Sequence, residues 1–236
     1  MTEQAVKAIV IRKTKYKDNS AMITLFTESM GIISAAAYGI HSIKSGKAGA
    51  LQLFMYGEFC LTNKNGSYTI KSAQGIENFE SLSENYDALT YGSRLLTWAY
   101  KLFYGHQYNS DAFNLLYRSL CYTSYSNINK DDIYIWFLLN ALNIIGICPC
   151  ITKCSICGKN LLEQSSIYIS AVDGGAVCSG CIKHAVSIRH ISVLSLEAMR
   201  RILLLNDETI QKLKLPDDVR KQLLLFLEEY SKEHLG

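Results

Sequence analysis

Proline is almost missing from this chain. Pro149 and Pro216 are the two in 236 residues, and both fall at boundaries between periodic segments. No apolar run is long enough to span a bilayer, so no membrane partner is expected. Collagen-like, low-complexity and highly charged disordered compositions are all excluded. No repeat recurs at a solenoid or propeller period. The opening, MTEQAVKAIVIRKTKYKDNS, has no basic start followed by an apolar block and a small-residue cleavage site. A soluble, cytoplasmic protein is therefore expected. Catalytic signatures are missing too: there is no GxxxxGK[ST], no HExxH and no GxSxG. The histidines at 41, 106, 184, 190 and 234 form no ligand-spaced pair. Asp131 and Asp132 are adjacent carboxylates that a helix start explains. The expectation is a binding protein and not an enzyme.

What is present is ordinary globular material, 49% hydrophobic and 19% charged, with 24 Lys and Arg against 21 Asp and Glu. The excess of three positive charges lies in residues 1–80, with nine basic and six acidic groups. Its densest part is Arg12, Lys13, Lys15 and Lys17. Such a cluster is either a solvated strand end or a phosphate-contacting patch, with Lys44 and Lys47 of a polar, glycine-rich loop nearby. If residues 13–17 are extended, side-chain alternation places the three lysines on one face.

Residues 1–78 read as five short strands: 6–11, 21–27, 31–38, 51–62 and 68–73. Asn65-Gly66 is a hairpin signal. Five strands suit a small barrel, either OB-fold or SH3-like, whose closure removes exposed edges. From about residue 79 the period becomes helical. Asp111 is a candidate cap for one helix and Asp131 or Asp132 for the next, IYIWFLLNALNIIG. That helix is apolar on nearly every side, so it belongs at the centre of a helical core, with Gly146 as its stop. Ser195 and Asp217 or Asp218 are candidate starts for two closing helices.

The strongest chemical signal is Cys154-Ser-Ile-Cys157-Gly followed, 20 residues later, by Cys178-Ser-Gly-Cys181. Two CxxC knuckles can bring four thiolates to one zinc ion, leaving no open coordination position, so such an ion is structural. Two disulfides, a redox-active CxxC and an iron–sulfur cluster are the competing readings. The missing secretory signal argues against the first, and the missing strand-to-helix setting against the second. Cys148, Cys150, His184 and His190 lie close enough in sequence to replace a ligand. Cys60 and Cys121 sit in apolar patterns and read as small core residues.

With these residues in view, the chain resembles the bacterial RecO family of recombination mediators along essentially its whole length. The opening KAIVIRKTKYKDNSAMITLFTESMGIISAAAYGIHSIKS is similar to the family's start. The most specific likeness is GICPCITKCSICG followed by GGAVCSGC, carried by Gly146, Pro149, Cys154, Cys157, Gly158, Gly174, Gly175, Cys178 and Cys181. The resemblance implies an α+β protein. An N-terminal OB-fold β-barrel for nucleic-acid binding (1–78) is followed by a mostly helical domain (79–147 and 193–236) with an inserted four-cysteine zinc ribbon (148–192). It implies a nucleoid-associated, ATP-independent annealer of complementary strands that binds single- and double-stranded DNA. It also implies work with RecR and single-stranded DNA-binding protein to load RecA. A groove rimmed by Arg200, Arg201, Lys212, Lys214, Arg220 and Lys221 is a candidate seat for that protein's acidic C-terminal tail. The rival reading is a zinc-ribbon interaction scaffold without direct annealing; a nuclease of unrecognised design is a third.

Overall fold

The computed structural model describes residues 2–17, 19–40, 47–161, 166–206 and 208–235. The first half is built on strands β1 (Thr2–Lys17), β2 (Ser20–Thr27), β3 (Gly31–Tyr38), β4 (Tyr56–Lys64) and β5 (Ser67–Glu77). A single helical turn, α1 (Lys47–Ala50), lies between β3 and β4. The strand order is β1-β2-β3-β5-β4, closed by pairing of β1 with β4. The β3–β5 pair is parallel and the others are antiparallel. Asn65 and Gly66 both have positive φ, as a two-residue hairpin turn requires, and link β4 to β5. Val6, Ala8, Val10, Ile23, Leu25, Phe59, Leu61 and Ile70 share the interior core.

β1 is longer than the apolar run suggests. Its first half pairs with β4 from Thr2 to Ile9, and its second half pairs with β2 as far as Lys17. The register shifts between Val10 and Arg12 and again between Lys15 and Lys17. These irregularities break strict alternation along the basic stretch.

Helices α2 (Ser81–Glu84), α3 (Tyr86–Phe103) and α4 (Ser110–Tyr125) follow. Then come α5 (Lys130–Ile144), a three-stranded sheet in the order β7-β6-β8, and α6 (Val193–Ile202) and α7 (Asp217–Leu235). Those strands are β6 (Ile167–Ser170), β7 (Gly175–Cys178) and β8 (Arg189–Ile191). Two compact units result, residues 1–125 and 126–236.

The expected fold class is corrected here. It set an N-terminal OB-fold β-barrel ahead of a mostly helical domain with an inserted four-cysteine zinc ribbon. The arrangement found is a mixed α+β chain in which strands and helices occur in both units. The physical reason lies in β1 and β2, which bury residues on both faces. Ile9 and Phe26 are fully buried although they alternate with the interior positions. The Phe26 ring lies 5.8 Å from Phe103 of α3 and 5.7 Å from Phe113 of α4. Without those helices this outer face would be wet apolar surface, so the sheet and α3–α4 make one core.

Three helix starts also differ from expectation. Asn109, not Asp111, accepts the first amides of α4. Asn129 caps α5, accepting from the Asp131 amide at 2.9 Å. Ser192, not Ser195, caps α6, accepting from the Ser195 amide at 3.0 Å. In each case the cap lies two or three residues earlier, where the side chain reaches amides that the helix leaves unpaired. Asp217 does open α7. Gly146, at φ +80°, ends α5 as expected, and α5 buries ten of its fifteen residues.

Candidate metal centre and nucleic-acid interface

The cysteine site is assembled from two turns and a hairpin. Cys154 and Cys157 lie on a tight turn in which the Gly158 amide donates to the Cys154 carbonyl at 2.9 Å. Gly158 has φ +73°, which accounts for a glycine there. Cys178 ends β7, and Cys181 lies in the following 3₁₀ turn, Ser179–His184. The two halves are joined by backbone: Ser155 donates to the Ala176 carbonyl at 2.8 Å, and Ala176 to the Cys150 carbonyl at 2.7 Å. Gly175 makes that approach possible. A Cβ at this position would stand 2.4 Å from the Cys150 carbonyl oxygen, and its φ is +137°.

The sulfur atoms of Cys154, Cys157, Cys178 and Cys181 all lie within 4.8 Å of one another. The Cys157–Cys178 separation is 3.7 Å. Thiolates about 2.3 Å from a tetrahedral zinc stand about 3.8 Å apart, so the donor set fits that ion in type, number and spacing. A disulfide needs sulfur atoms about 2.0 Å apart, and all eight cysteines are free thiols. Three of the four are buried and Cys157 is exposed.

Burial pushes the Cys154 thiol up, but hydrogen bonds from the amides of Cys178, Cys157 and Ile156 outweigh it and bring the group down to about 6. Hydrogen bonds with the Cys157 and Cys178 sulfurs hold the Cys181 thiol up, at about 12. The thiolate form is thus favoured at Cys154 and disfavoured at Cys181, and a cation among the four would favour thiolate throughout. None of Cys148, Cys150, His184 and His190 belongs to that group of four. The Cys150 sulfur meets the Lys153 carbonyl at 3.2 Å, and the exposed His190 packs edge-on against Tyr168. The only metal-ligating cluster among the described residues is the quartet of cysteines.

The basic stretch occupies the last residues of β1. Residues 13–17 are extended, although the expected strand ended at Ile11, and Lys13 and Lys15 stand opposite Ile23 and Ala21 of β2. Directly opposed residues of an antiparallel pair share a face, so these two lysines lie on the side of Ile23 and Ala21, whereas Arg12, opposite Thr24, lies on the other. Arg12, opposite Thr24, reaches α3, where its guanidinium carbon lies 5.6 Å above the Tyr100 ring. Lys17 pairs with Ser20. Lys47 is the first residue of α1, and Lys44 lies outside the described residues.

Between β1 and α3 runs a cleft of about 460 Å³ whose lining includes Arg12, Lys13, Leu53, Leu96, Tyr100 and Lys101. The sequence reading missed the α3 contribution. Tyr100, Lys101 and Tyr104 sit in what looks like an ordinary amphipathic helix, and only the packing of α3 beside β1 brings Lys101 to the same cleft as Arg12.

The six basic residues expected at the rim of a groove in the second unit are not all found there. Arg200 is engaged internally, donating twice to the Ile151 carbonyl at 3.0 and 2.6 Å. Arg220 is engaged likewise. It donates to buried Asp132 at 2.7 Å and to the Leu215 carbonyl, and also pairs with Asp217. These carboxylates raise its affinity for its proton. Arg201, Lys212 and Lys214 all line one groove of about 410 Å³ with Leu194, Ile202 and Leu213; Glu197 lines it too and accepts from Arg201 at 3.1 Å. Lys221 is exposed but does not line that groove.

Comparison with known proteins covers nearly the full length. The family model described as Recombination protein O N terminal matches residues 1–79, and that described as Recombination protein O C terminal matches residues 83–236. The chain belongs to the RecO family. DNA repair protein RecO of Alkaliphilus metalliredigens (strain QYMF) is 31% identical over 232 residues, 97% of this chain and 92% of that one. DNA repair protein RecO of Bacillus cereus (strain AH187) and that of Bacillus anthracis are each 26% identical over 237 residues, 99% of this chain and 92% of theirs. The resemblance seen in the sequence is thus correct. The gap between the two RecO models falls beside α2, whereas the first compact unit continues through α4. No helix among the described residues is long and apolar enough to cross a membrane.

Proposed function

We propose that this chain is a non-enzymatic recombination mediator. It binds single- and double-stranded DNA and anneals complementary strands without ATP. With RecR and single-stranded DNA-binding protein it helps load RecA, in the cytoplasm and associated with the nucleoid. The observation that carries the reading is the basic end of β1 beside α3, in a chain matched by the RecO models from end to end. Annealing requires two polyanions to approach. Arg12, Lys13, Lys15 and Lys17, with Lys44 and Lys47, supply the neutralising charge through phosphate contacts that carry little base information.

One zinc ion is held by Cys154, Cys157, Cys178 and Cys181. When bound, it ties the two turns together and has no position left for substrate. A partner site fits the groove of the second unit. Its apolar floor and the cations Arg201, Lys212 and Lys214 suit the acidic, hydrophobic tail of single-stranded DNA-binding protein. Arg200 and Arg220 support that region from inside.

The test is annealing of two complementary labelled oligonucleotides by the purified chain, with no nucleotide and with a chelator of free magnesium. Annealing faster than the spontaneous rate supports the proposal. A folded chain that leaves the spontaneous rate unchanged contradicts it and favours a scaffold that acts through proteins alone. Cleavage of the strands would point to an enzyme instead.

A further inference from the structure

The cleft between β1 and α3 has a character that phosphate binding alone does not explain. Its lining includes three cations, Arg12, Lys13 and Lys101, and no carboxylate. Its floor is apolar, with Leu53 and Leu96. At its edge the Tyr100 ring stacks on that of Tyr104, one helical turn on, with centroids 4.7 Å apart and planes 27° from parallel. Arg12 lies over Tyr100, and the Lys101 ammonium lies 5.0 Å above the neighbouring Trp98 ring. Tyr104, although stacked, remains 50% exposed. Tyr104 does not itself line the cleft; the aromatic pair, flanked by cations, ends beside it in a half-exposed ring.

We infer that this cleft is a base-stacking site for single-stranded nucleic acid. A nucleotide's phosphates meet Arg12, Lys13 and Lys101 while its base extends the Tyr100–Tyr104 stack. An acidic peptide would use the same charges but gain little from the rings, whereas every base has a face that stacks. A paired duplex hides those faces, so the site discriminates in favour of unpaired strand. The inference rests on the DNA-binding reading above and adds to it a contact that is not electrostatic.

The test compares a short thymidine oligonucleotide with a chain of the same length that is abasic throughout, by fluorescence anisotropy with the full-length protein. Wild type is expected to bind the thymidine strand at least about tenfold tighter. Tyr104→Ala is expected to lose most of that preference, leaving abasic affinity and its salt dependence unchanged, and Tyr104→Phe to keep it. Because Tyr104 is at the surface, the variant folds, which a melting curve verifies. Tyr100→Leu is a second variant with the same expected loss. Equal binding of both strands by wild type, or a preference that survives Tyr104→Ala, overturns the inference while leaving phosphate binding intact. Failure of wild type to bind either strand overturns the DNA-binding reading itself, and this inference with it.

Discussion

Asp132 and Arg220 show how much one residue pair decides in the second unit. Asp132 is completely buried, and it accepts from the Leu215 amide at 3.0 Å as well as from Arg220. Removing the guanidinium strands a carboxylate away from water, a change worth roughly 3–5 kcal/mol. Arg220→Ala is therefore expected to lower stability by that amount in urea titrations, while Lys221→Ala on the exposed side changes little. The four cysteines make a second demand at this scale. Cys154→Ser and Cys178→Ser are each expected to bring bound zinc from one per chain to well below one by elemental analysis, and to lower the melting temperature. Full metal retention by both variants would mean that other side chains hold it. The quartet was legible from spacing, since CxxC brings two sulfurs to one turn whatever surrounds it. The Asp132–Arg220 pair was not, because its members are 88 residues apart and each has a local explanation, as helix start and as rim cation.

Among the elements, β1 and the β6–β7 hairpin carry the greatest constraints. Gly175 of β7 lies against the Cys150 backbone at a φ that suits only glycine. Gly175→Ala is expected to destabilise by at least about 2 kcal/mol and to loosen metal binding, measured by denaturation and by the rate of zinc transfer to a chelator. A neutral result would mean that the hairpin and Cys150 separate readily. In β2, Phe26→Ala removes a ring held between α3 and α4, and a loss of about 3–5 kcal/mol is expected in thermal or urea melts. A much smaller loss would indicate that sheet and helices fold as separate cores. Strand identity was readable from β-rich runs and from Asn65-Gly66. The sheet's dependence on helices was not, since an outward-facing Phe26 looks the same as one in an imperfectly alternating strand. Cap positions were misjudged for a related reason: several polar residues precede each helix, and only backbone geometry selects one.

For the molecule as a whole, the functional reading is a division of labour. The first unit presents cations and rings beside β1, and the second holds the sulfur cluster and an apolar groove. Sequence spacing revealed the cysteine cluster and the basic stretch of β1. The cleft stayed hidden because α3 lies far along the chain from β1, and nothing local marks Tyr100 or Lys101 as its neighbours. Arg201→Glu combined with Lys212→Glu is expected to weaken capture of an acidic, hydrophobic peptide by at least about tenfold while leaving oligonucleotide binding intact. Loss of both activities together would show that the two surfaces are not independent. The claim underlying the rest is that the end of β1 grips phosphates. Its most direct measurement is the salt dependence of single-strand binding for wild type and for Lys13→Ala combined with Lys15→Ala. Two lost contacts are expected to flatten the plot of log affinity against log salt by about 1.4. An unchanged slope in the folded variant would contradict the account.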